Sequence, residues 1–227
     1  MLTICRVYIR SGAEGISEAE IRSVGGRAYQ LIESSSSSLS EIEPTGVNVE
    51  VKEGSLILIG TIVTIATALY AAITGYDNFW SGLERIRGHA GSIGSTLRQW
   101  FQDDPTLSSG PIVSSRVSTG ALNKIHRLHE DVLVGRLSPD DAVQQVLRTF
   151  RSSGEPIDAN MISEVERAFN ARALGSPRLD ELSRRPEREG LFMPGEAARA
   201  PRARPRRTLT IKRPPGASNP VVQFHQG

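Results

Sequence analysis

The order of apolar and polar positions along this chain marks out a small head, a long uncharged stretch and a series of one-faced helices. Leu2, Ile4, Val7 and Ile9 form a β-prone run within Met1 to Arg10, and its alternation slips in phase at Cys5 and Arg6. Ser17 and Glu20 stand at the spacing of a capping box, in which each side chain satisfies an amide at a helix start. The helix that follows repeats Ile21, Val24, Ala28, Leu31 and Ile32 every three or four residues, until the serines from Ser34 to Ser38 end it. Val47, Val49 and Val51 then alternate with Asn48, Glu50 and Lys52, as in a strand with one wet face. Residues 1–54 thus predict a β-α-β head. Two strands and one helix are too few to bury an independent core, so the head needs a partner copy or another part of this chain, and self-association into a homo-oligomer is expected.

Residues 55–76 carry no charge. As a helix, the stretch from Ser55 to Gly75 would rise about 31 Å, matching the roughly 30 Å hydrocarbon core of a bilayer. This predicts a transmembrane helix with Leu56, Ile59, Ile62, Ile65, Leu69 and Ile73 in the span, and Tyr76, Phe79 and Trp80 as aromatic anchors at the interface. Gly60, Thr61, Thr64 and Thr67 would form a small, weakly polar stripe for helix assembly in lipid. Only Lys52 stands close before the span, against Arg85 and Arg87 after it, which predicts a single-pass membrane protein with its C-terminal side cytoplasmic. The competing reading is a buried core helix.

Beyond the span, Phe79, Leu83, Ile86, Ala90, Ile93, Leu97 and Trp100 recur at alternating spacings of four and three, so residues 77–101 predict an amphipathic helix at the membrane interface. Residues 102–116 have linker composition. Residues 117–175 predict a three-helix module, with Leu122, Ile125 and Leu128 on its first helix. Ser138-Pro139-Asp140-Asp141 starts the second, and Ile162, Val165 and Phe169 mark the third.

Charge alters this picture more than composition does. The chain's 27 Lys and Arg nearly balance its 25 Asp and Glu, yet residues 1–54 hold 5 basic and 8 acidic groups while residues 176–227 hold 11 and 5. That last segment also contains eight of the 13 prolines and lacks apolar periodicity, the composition of a disordered tail. Within it Arg199, Arg202, Arg204, Arg206, Arg207, Lys212 and Arg213 occur without an intervening acid, which predicts contact with anionic lipid or nucleic acid.

Chemistry is sparse. The single Cys5 allows no intrachain disulfide, and in the cluster of His126, His129 and Glu130 the histidines stand at i and i+3 instead of the i and i+4 of a zincin pair with no further ligand evident, so neither metal nor other cofactor is expected. No catalytic motif occurs and no small-molecule substrate is indicated, which argues against an enzyme. The whole predicts an α+β chain: β-α-β head, one membrane helix, interface helix, three-helix module and disordered tail. Its expected role is anchoring and protein-protein assembly at a membrane. The alternative is a soluble oligomeric α+β protein with a nucleic-acid-binding basic tail.

Overall fold

The computed structural model describes residues 1–12, 16–36, 42, 46–53, 56–76, 78–104, 112–154, 156–173, 207–214 and 217–226. The first apolar run forms β1 (Leu2–Ser11), and its phase slip is a β-bulge. Pairing shifts register between Thr3 and Cys5, so that Ile4 and Cys5 are both buried, while Arg6 and Arg10 are exposed on the other face. The capping box opens α1 (Glu18–Ser36): the Ser17 amide donates to Glu20 Oε2 at 2.7 Å, and the Glu20 amide donates to Ser17 Oγ at 3.2 Å. The valine alternation forms β2 (Gly46–Lys52).

The uncharged stretch is not one helix. It divides into β3 (Ile57–Thr64) and a short helix α2 (Ala66–Thr74), with Ile65 at the junction. Among the described residues no helix is long and apolar enough to cross a membrane. The expected transmembrane span, single-pass placement and orientation are therefore corrected. Seven of the nine residues 57–65 are β-branched, which favours a strand over a helix. The strand also lies in the middle of the sheet between β1 and β2, whose side chains shield even its outward-facing Ile59, 9% exposed, so apolar residues are accommodated on both faces and the stretch reads as a continuous apolar run. Such a run cannot be told from a buried helix by periodicity.

This insertion also corrects the head. β1 and β2 are not adjacent, and the partner that a β-α-β unit requires is the rest of the same chain. β4 (Ile112–Ser118), which begins within the expected linker, and β5 (Arg207–Arg213) and β6 (Val221–Gln226), which fall in the expected tail, complete one six-stranded antiparallel sheet. Its order is β4-β1-β3-β2-β5-β6. Leu209 and Ile211 of β5 are buried, so β5 and β6 are part of the fold. The expectation of disorder for residues 176–206 falls outside the described residues.

Helices cover one face of the sheet. α1 packs on β2 and β5, and α3 (Phe79–Asp103) packs on β1 and β4. The two helices meet over Gly60 of β3, where an added Cβ would come within 2.6 Å of Ile32 and 3.2 Å of Leu97. The apolar seam of α3 is buried at Phe79, Leu83, Ile86, Ala90, Ile93 and Leu97, and it faces protein instead of a membrane interface. α4 (Gly120–Leu133), α5 (Pro139–Arg151) and α6 (Ala159–Ala173) form the three-helix module. Ser138 caps α5 by accepting the Asp141 amide at 3.1 Å. The module is seated against α3 and the start of β1, where the N-terminal ammonium of Met1 donates to the Ser153 carbonyl at 2.8 Å.

A basic sheet face as candidate functional site

Alternation in a strand sends every second side chain away from the helical layer. On β1 these are Arg6, Tyr8 and Arg10; their register partners on β4 are Ser118, Arg116 and Ser114, and on β3 they are Thr61, Ile59 and Ile57. Asn48, Glu50 and Lys52 continue the same rows on β2, then Lys212, Thr210 and Thr208 on β5. Arg6, Arg10, Arg116 and Lys212 are exposed, so no helix lies over them. Among the described residues this face carries five cations, Arg6, Arg10, Lys52, Arg116 and Lys212, against one carboxylate, Glu50, which is 3.0 Å from Lys52.

Tyr8 stands at the centre of the cationic end. Arg116 is opposite it on β4, and Arg6 and Arg10 flank it along β1 at about 6.8 Å, twice the strand rise. Neighbouring strands lie about 4.8 Å apart, so the cations from Arg116 to Lys212 spread over a broad, shallow surface instead of converging on a point. Such a surface suits an extended polyanion better than a compact ligand.

The expected site residues are dispersed by the fold. Leu56, Ile62, Leu69 and Ile73 are buried in the core, Ile59 lies on the open face, and Ile65 precedes α2. Of the proposed stripe, Gly60 and Thr64 face the helices, Thr61 faces outward, and Thr67 belongs to α2, so they do not form one surface. Tyr76 lies under the Arg85 guanidinium, 5.0 Å from its ring centroid. Phe79 is buried, and Trp80 stacks on His129 at 3.6 Å and donates through Nε1 to the Ala168 carbonyl at 3.0 Å.

Three of the seven tail cations fall in the described residues. Arg207 donates to Glu53, through Nε at 2.9 Å and Nη2 at 2.5 Å, and these bonds hold the Glu53 carboxyl down at about 2. Arg213 is paired with Glu33, which leaves Lys212 on the open face. Arg199, Arg202, Arg204 and Arg206 lie outside the described residues.

A concavity of about 730 Å³ lies between the start of α3 and the C-terminal half of α4 and is lined by Trp80, Glu84, His126, His129, Glu130 and Arg136. Its charges largely answer one another. His126 Nδ1 is 3.2 Å from Glu84, its Nε2 is 3.6 Å from Glu130, Arg87 is 3.0 Å from Glu84, and Arg136 is 2.7 Å from Asp131. Among the described residues no group of three His, Cys, Asp or Glu side chains is placed to hold a metal ion. Burial pushes the Cys5 thiol up to about 11, and its Sγ donates to the Ala90 carbonyl at 3.2 Å, so it is no ready nucleophile.

Sequence reasoning missed the open face as a site. Its local signal was present in the alternation of Arg6, Tyr8 and Arg10 with Val7 and Ile9, but the alignment with Lys52, Arg116 and Lys212 depends on long-range pairing. Comparison with protein-family models, with curated proteins and with solved structures finds no match.

Proposed function

We propose that this chain binds single-stranded nucleic acid, without strong sequence preference, on the open face of its sheet. The observation that carries the reading is the set of five cations against one carboxylate on this face, with Arg6, Arg10 and Arg116 grouped around Tyr8. A single strand can lie along such a surface with its phosphates on the arginines and lysines and one base on the tyrosine ring. A duplex is a poorer fit, since a six-stranded face is too broad for a groove that admits one helix or a two-stranded ribbon, and among the described residues no helix stands on it. With Tyr8 the one Phe, Tyr or Trp on this face among the described residues, phosphate contacts dominate and sequence discrimination is weak.

The test is fluorescence anisotropy with a labelled oligothymidylate, titrated over salt. Phosphate contacts at Arg6, Arg116 and Lys212 on a single strand give a slope of about −2.1 in log affinity against log salt, or about a 20-fold loss between 50 and 200 mM. Arg116→Ala lowers the slope by about 0.7. Tyr8→Ala lowers affinity and leaves the slope unchanged. Absence of salt-sensitive binding to the oligonucleotide, or binding to phosphatidylserine vesicles alone, overturns the proposal.

A further inference from the structure

The sheet has two outer edges, and they differ in how they are guarded. Sheet edges are usually protected against adding further strands by charge, proline, bulges or a covering element. β4 carries Arg116, and its pairing with β1 shifts register between Arg10 and Ser11. β6, Val-Val-Gln-Phe-His-Gln, has no residue charged at pH 7 with histidine neutral, no proline, and unbroken register with β5. Among the described residues nothing pairs with its outer side. Val221 and Val222 are 53% and 52% exposed, two of the few large apolar side chains left open.

We propose that β6 pairs antiparallel with β6 of a second copy of this chain, about a twofold axis normal to the sheet at Gln223. Opposed residues in one sheet must share a face, and this register satisfies that condition throughout. Val222 lies opposite Phe224 of the copy on the helical side, Val221 opposite His225 on the open side, and Gln223 opposite itself. The two apolar pairs cover Val222 and extend the core that Leu209 and Ile211 already build beside β6. The strand is neutral, so self-pairing opposes no like charges. The chain's own segment 174–206 is a poor occupant, because it contains no proline-free, uncharged run of six residues. An axis normal to the sheet keeps both basic faces on the same side of one continuous sheet. The inference is independent of what those faces bind.

Sedimentation equilibrium on the full chain tests it. The native protein is expected at twice its 24.7 kDa chain mass. Gln223 is exposed, and Gln223→Lys and Gln223→Glu each place like charges opposite one another across the axis, so each variant is expected at 24.7 kDa. An equimolar mixture of the two places lysine opposite glutamate and is expected to restore the double mass, which a folding defect would not do. A native protein that stays at 24.7 kDa at high micromolar concentration overturns the inference, as does a dimer unaffected by Gln223→Lys or a folded mixture that fails to reassociate.

Discussion

One methyl group added at Gly82 and at Gly88, six residues apart on α3, is expected to move stability in opposite directions. In a helix interior alanine is favoured over glycine by about 1 kcal/mol, since glycine has more backbone freedom to lose. At Gly88 a Cβ meets nothing within 4 Å, so Gly88→Ala should realise that gain. At Gly82 the same atom would sit 2.1 Å from the Ile73 carbonyl oxygen and 2.9 Å from its carbon. Ordinary contact begins near 3.4 Å, so the end of α2 would have to move by more than 1 Å, and the obstacle is backbone instead of a side-chain tip. Overpacking of this kind costs about 3 kcal/mol, which the propensity gain of about 1 kcal/mol offsets only in part. Gly82→Ala should therefore lose about 2 kcal/mol. With a urea m-value of about 2 kcal/mol/M, the unfolding midpoint followed by circular dichroism should rise by about 0.5 M for Gly88→Ala and fall by about 1 M for Gly82→Ala. A midpoint for Gly82→Ala at or above that of the native protein would refute the close seating of α2 on α3.

Leu209→Ala should destabilise the protein by about 3 kcal/mol in the same assay, because the side chain is 1% exposed and packs beside Gly25 of α1. A surface-like loss of a few tenths would remove β5 from the core. The Glu53 pair with Arg207 adds an acid dependence. The folded-state carboxyl lies at about 2, below its unfolded value near 4.3, so the pair's stabilisation is full above that unfolded value and fades as pH falls toward 2. Glu53→Gln should flatten the stability profile across that window, and an unchanged profile would contradict the pairing.

Local signals in the sequence located their elements well. The Ser17 and Glu20 capping box, the Ser138 cap and the seam from Phe79 to Leu97 each depend on residues within a few turns of one another, and each is found in the structure. The failures were at positions decided by distant pairing. Residues Ile57 to Thr64 look lipid-facing only until β1 and β2 are known to flank them, and Leu209 and Ile211 are two apolar residues in a stretch whose average is set by proline and arginine. The candidate face was illegible for the same reason. Arg6, Lys52, Arg116 and Lys212 are scattered along the chain, and only the order of the strands makes them neighbours.

That strand order has a consequence for how the protein is made. β2 takes one neighbour, β3, from the sequence just after it, but the other, β5, lies near the C-terminal end, with Val47 bonded opposite Arg213. Synthesis runs from the N-terminus at about 5 to 20 residues per second, so a nascent chain holds an open β2 edge for seconds before β5 emerges. A chain cut short before residue 207 would leave Val47, Val49 and Val51 beside unpaired backbone, the kind of surface that recruits chaperones or drives aggregation.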